Sequence, residues 1–140
     1  MSNEQNKTTI RRIFAVLNEK DLDDVVSYYQ PDCLFHGWGP QTMDAAGYKA
    51  TMSALLAAFP DAYFQMNDVI AEGDRVAVPH TLRGTHQAEF QGVPATGKSV
   101  VVEAIVIFRL ENGQPAELWL GADFFGLMQQ LGVIPAPETN

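Results

Sequence analysis

Apolar positions in the first sixty residues recur every three or four places, and beyond residue 61 they alternate. Ile10, Ile13, Phe14 and Leu17 share one face of a 3.6-residue period, which predicts an amphipathic helix over residues 5–19. Asp21 is placed to cap a second short helix running to Tyr29, with Pro31 as its stop. "CLFHGWGP" reads as a short strand and a glycine-rich loop. A third helix starts near Met43, carries Tyr48, Met52, Leu55, Leu56 and Phe59 on its stripe, and ends at Pro60.

The second half reads as strands. Residues 62–71 are rich in β-branched and aromatic side chains, and "EGDR" is a hairpin turn. Val76, Val78, His80 and Leu82 then face one way, and Arg75, Ala77, Thr81 and Arg83 the other, as in a half-buried antiparallel strand. "QGVPATGK" turns the chain into "SVVVEAIVIFRL", "ENGQ" makes another turn, and "PAELWLGAD" is the last long strand. A short helix follows, with Phe125, Met128 and Leu131 on one side and Gly132 at its end. Helices followed by a four-strand meander predict an α+β fold: a cone-shaped, curved antiparallel sheet with the N-terminal helices on its concave face, enclosing an apolar pocket. Residues 1–140 are expected to form a single domain.

Charge and cysteine content narrow the partners. A net charge of −8 disfavours nucleic acid and anionic membrane. No apolar run approaches the ~20 residues of a membrane span, the polar start "MSNEQNKTT" lacks a signal-peptide core, and the single cysteine, Cys33, has no intrachain partner. The expectation is a cytoplasmic protein acting on a small molecule.

Three features carry candidate chemistry. "GVPATGKS" matches the phosphate-loop pattern by letter, but that loop needs a helix after its lysine, and "VVVEAIVIF" is a strand. His80 and His86 lie about 20 Å apart along one strand at ~3.3 Å per residue, too far to share an ion, so no metal is expected. His80 is in phase with the inner face, where a core histidine satisfied by one hydrogen bond competes with a catalytic one. His86 reads as structural, and His36, beside Gly37, either lines a cavity mouth or holds its loop. Asp123 sits alone in "LWLGADFFGLMQQLGV". Strand phase groups it with Glu117, Trp119 and Gly121, a large side chain bordering a gap. The plainer reading is a cap for the helix that begins at Phe124. A lone carboxylate taken out of water costs several kcal/mol unless it is paired or its pKa rises.

"FAVLNEKDLDDVVSYYQPDC", "IAEGDRVAV", "LRGTHQAEFQGVPATGKSV", "IFRLENGQPAELW" and "DFFGLMQQLG" together resemble the SnoaL-like polyketide cyclases, or ester cyclases. That group has the cone-shaped fold of ketosteroid isomerase and nuclear transport factor. The resemblance implies intramolecular aldol condensation without a cofactor, on a small hydrophobic carbonyl substrate. Asp123 matches the family's general acid/base, and His80 would assist it. Val106 matches a position where the characterised cyclases carry histidine, and Leu17 one where they carry an aromatic residue. The expected pocket is formed by Leu17, His36, Trp38, Thr51, His80, Val106, Trp119 and Asp123. Ketosteroid-type isomerisation and dehydration are rivals on the same fold, and epoxide hydrolysis lacks its inward arginine. The rival of another kind is a non-catalytic ligand-binding or dimerisation module in which Asp123 caps the last helix. A homodimer is expected under either reading, because "VVVEAIVIF" is apolar on both faces.

Overall fold

Helix α1 begins where the sequence supplies a reciprocal cap. In the computed structural model, which describes residues 2–135, Ser2 Oγ accepts from the Gln5 amide at 3.1 Å and Gln5 Oε1 accepts from the Ser2 amide at 2.9 Å. α1 spans Asn3–Asn18 and buries Ile10, Ile13, Phe14 and Leu17. α2 spans Leu22–Ser27 with Asp21 as its cap. α3 spans Ala45–Ala58. Its cap is Asp44, whose carboxylate accepts from the Gly47 amide, while Met43 pairs its backbone with Phe35 instead of starting the helix.

Among the described residues six strands follow or interleave: β1 (Leu34–His36), β2 (Tyr63–Met66), β3 (Ile70–Glu72), β4 (Arg75–Thr85), β5 (Ser99–Glu111) and β6 (Gln114–Ala122). They form one sheet in the order β1-β6-β5-β4-β2, with β3 also on β4. All neighbours are antiparallel except β1 on β6. The single strand expected over residues 62–71 is two strands. Met66 pairs with His80 and Ile70 with Ala77, so one residue too many stands opposite the stretch that contains Pro79. Proline donates no ladder hydrogen bond, and an irregularity opposite it costs little.

The helices cover the concave face of this curved sheet. Phe14 from α1 meets Phe108 of β5 edge-on, at 6.5 Å between ring centroids. Val76, Val78, Val102, Val106 and Leu118 complete the floor, each nearly free of solvent contact. Burying side chains of this size contributes about 1.5–3 kcal/mol apiece. After β6, α4 (Phe124–Gln130) returns across the sheet edge. Its inward residues are Leu127 and Leu131, whereas Phe125, expected on the same side as Leu131, is 62% exposed. Gly132 follows at φ +83°, a left-handed stop open to glycine. Among the described residues no helix is long and apolar enough to cross a membrane.

Candidate active site

The concave packing is incomplete: a cavity of about 100 Å³ remains between α1, α3 and the strands. Its walls include Ile13, Phe14, Leu17, Met52, Val106 and Phe108. The exposed residues Gln91 and Phe124 mark the side where it meets solvent. That volume is about two thirds of the roughly 150 Å³ that accommodates benzene in a protein core.

His80 is 6% exposed and lies on this wall, edge-on to Phe14 at 5.3 Å. Its Nδ1 is 3.1 Å from the Val78 carbonyl oxygen. A carbonyl only accepts, so Nδ1 carries the hydrogen, and in the neutral ring Nε2 keeps a bare lone pair. Nε2 has no protein partner among the described residues. Burial lowers the pKa of the ring below 6.5, opposed by the bond to Val78 and the charge of Glu103. At neutral pH this is an uncharged base in an apolar wall.

The cavity's other polar groups are largely spent. The rings of Tyr29 and Tyr48 stand 6.0 Å apart, and burial raises Tyr29 well above its usual value and pushes Tyr48 up to about 12. Thr51 donates to the Met43 sulfur at 3.5 Å. Cys33, behind β1, is fully buried, and burial pushes its thiol up to about 12, which leaves it protonated and unreactive.

Of the residues expected in the pocket, Leu17, Trp38, Thr51, His80 and Val106 line it. His36, Trp119 and Asp123 do not. Trp119 lies on the opposite sheet face, stacked on His36 at 5.6 Å and under the Arg75 guanidinium at 5.1 Å. His36 binds Thr42 through Nδ1 at 3.0 Å and Glu117 through Nε2 at 2.6 Å. Together with Arg109, that bond holds the Glu117 carboxyl below its usual range.

A register shift explains the exchange of faces. Next to the Asn112–Gly113 turn, Glu111 pairs with Gln114 and Leu110 with Pro115. Continued without interruption, that register would set Val106 opposite Trp119. A bulge between Arg109 and Leu110 makes Ala116 an extra residue, and Val106 faces Leu120 instead. One residue of slip moves every side chain of β6 to the other face. Leu118, Leu120 and Ala122 therefore line the cavity.

Asp123 is exposed and caps α4. Its Oδ1 accepts from the Gly126 amide at 2.8 Å. It is nevertheless bracketed by wall residues, Ala122 before it and Phe124 and Leu127 after it. Residues missed in the sequence include Phe64, Phe90 and Gln91. Phe64 was open to strand phase, whereas the other two belong to the segment 86–98, an excursion from the β4–β5 ladder rather than a simple turn. Lys98 leads directly into β5, so no helix N-terminus stands behind the glycines.

An α+β cone whose concave face holds an apolar cavity with one neutral imidazole belongs to a fold used by many chemistries. The chain belongs to the family of SnoaL-like polyketide cyclases, whose model matches residues 7–131. It is 28% identical over 136 residues to the aklanonic acid methyl ester cyclase DnrD of Streptomyces peucetius, covering 92% of each chain. Among solved structures it is similar to AclR of Streptomyces galilaeus, a candidate hydroxylase, with a TM-score of 0.91 and 29% identity over 99% of this chain and 87% of that one. IdmH of Streptomyces antibioticus, a candidate polyketide cyclase, gives 0.81 and 29%, covering 91% of this chain and 99% of that one.

Proposed function

We propose that the protein is a cofactor-independent cyclase that closes a ring in a hydrophobic carbonyl compound of the polyketide-ester kind by intramolecular aldol addition. The observation that carries this reading is the apolar cavity with His80 Nε2 unpartnered in its wall. The similarity to DnrD, a cyclase of aklanonic acid methyl ester, supplies the substrate class.

In the reaction, a proton leaves the carbon between two carbonyls and the resulting enolate attacks a ketone within the same molecule. A C–C bond forms, the ketone oxygen becomes an alkoxide, and the proton returns to it. Asp123 is assigned the proton transfer. Leaving its cap on α4 costs about 1 kcal/mol, a factor of about five in population, whereas a positioned general base contributes about 10²–10⁴ in rate. The cap is too weak to forbid the role. His80 Nε2 accepts a hydrogen bond from the substrate's enol or new hydroxyl, and the apolar walls hold the chain folded for attack.

A second reading makes His80 itself the base, favoured by its place in the cavity wall with Nε2 outside the hydrogen bonds of the described residues. As an imidazolium it would then donate to the enolate oxygen and return the proton. Rates with aklanonic acid methyl ester and simpler β-keto esters separate the two. Asp123→Asn should lose at least 100-fold and His80→Gln about tenfold or less on the first reading, with the order reversed on the second. A wild type that binds these esters without turnover would sink both and leave a ligand-binding module.

A further inference from the structure

Among the described residues three non-glycine ones have left-handed backbone: Lys20 at φ +66°, Gln91 at +49° and Asn112 at +51°. Asn112 precedes Gly113 at +78° in the β5–β6 turn, the pairing that a two-residue turn of this hand prefers. Gln91 precedes Gly92 at +83° in an equivalent turn, closed by the Phe90 amide on Val93 O at 3.0 Å and the Val93 amide on Phe90 O at 2.9 Å. Asparagine tolerates this conformation through its short side chain, and glutamine has no such advantage. Of the three, Gln91 alone lines the cavity. Strain held at a residue that borders a cavity points to use of its side chain.

The turn is also fixed in place. The amides of Gln87 and Ala88 donate to Ala58 O at the end of α3, at 2.8 and 3.3 Å. Phe90 packs edge-on against Phe59 at 5.5 Å. His86, fully buried, accepts the Thr96 amide on Nδ1 at 3.2 Å and ties off the far end of the segment. The Gln91 carboxamide itself enters none of the hydrogen bonds of the described residues. A free amide donor on a rigid mount, beside walls that are mostly hydrocarbon, is preorganised for a carbonyl.

We infer that Gln91 is a specificity-determining residue, whose side-chain amide donates to a substrate ester or ketone oxygen at the cavity mouth while the apolar part of the substrate occupies the cavity. The inference rests on the cavity being the substrate site proposed above. Two probes of matched length test it: ethyl benzoylacetate, a β-keto ester, and hexylbenzene, its hydrocarbon counterpart. Both are titrated against tryptophan fluorescence, since Trp38 lines the cavity. Gln91→Gly relieves the backbone and should fold at least as well as wild type, checked by its melting temperature. Its Kd for the keto ester should rise about three- to tenfold, the value of one hydrogen bond, with hexylbenzene unchanged. Equal weakening of both probes would make Gln91 a piece of wall and overturn the inference, as would no change in either. Wild type that takes up hexylbenzene without favouring the ester would also defeat Gln91 while sparing the cavity. Wild type that binds neither would remove the substrate site and this inference together.

Discussion

Asp123 is given two jobs above, and two substitutions pull them apart. Its Oδ1 holds the Gly126 amide at 2.8 Å. Gly126 suits that contact closely, because a Cβ there would lie 2.2 Å from Asp123 Oδ2. Asp123→Ala removes the acceptor and costs about 1 kcal/mol, the usual value of an N-cap. Unfolding entropy of about 2.1 cal/mol/K per residue gives about 0.29 kcal/mol/K over the 140 residues. The melting temperature should therefore fall by about 3 °C. Asp123→Asn keeps a side-chain oxygen of equal capping quality and loses only a charge near a short helix's N-terminus, a few tenths of a kcal/mol. Its melt should fall by about 1 °C or less.

Ring closure should respond in the opposite proportion. An amide cannot take up the substrate proton, and its loss as a base costs about 10²–10⁴ in kcat. Thermal denaturation and product formation from a β-keto ester, measured on the same preparations, provide both readings. An asparagine variant that melts like wild type but hardly turns over assigns the carboxylate to chemistry. Turnover within about threefold of wild type would confine Asp123 to capping, and an alanine variant that melts like wild type would remove the cap as well.

Two further predictions use other parts of the site. The ring of His80 has its pKa lowered in the fold, so its contribution to stability is complete above pH 6.5 and is lost as the pH falls through the folded value. Urea unfolding between pH 7.5 and 5 should show wild type losing more stability than His80→Leu, and parallel curves would refute the burial argument. On the outer sheet face, Val101 and Ile105 are 41% and 51% exposed, and a second copy is the proposed cover. Wild type should elute as a dimer in size exclusion and Ile105→Lys as a monomer, whereas a wild-type monomer at micromolar concentration would end that proposal.

The helices were legible because their signals are local. The stripe of Ile10, Ile13, Phe14 and Leu17 and the cap at Asp21 each depend on residues within a turn or two. The inward phase of β4 was legible for the same reason: Arg75 and Arg83 mark its solvent face without any knowledge of the neighbouring strand. Gln91 was illegible, since nothing in "EFQGVPATG" says that the turn residue borders a cavity formed by α1 and α3. The break between β2 and β3 hid because Pro79, which permits it, stands on the partner strand.

Trp119 shows what long-range register does to such reasoning. Its alternation with Glu117 and Gly121 was read correctly, but alternation fixes only which residues share a face, not which face is inside. The Asn112–Gly113 turn, taken alone, sets Trp119 opposite Val106 and so into the cavity. The extra residue at Ala116 reverses that choice for the whole of β6. Pro115 and Ala116 are both buried, a pair of adjacent inward positions that simple alternation cannot produce, and proline beside a turn is a usual companion of a bulge. The same slip decides the chemistry of the wall. With it, Leu118, Leu120 and Ala122 make β6 an apolar surface. Without it, Glu117 and Trp119 would stand inside, and the cavity would hold a carboxylate far from Asp123. The polarity of this site is thus set by one inserted residue near a turn, Ala116, which does not itself line the cavity.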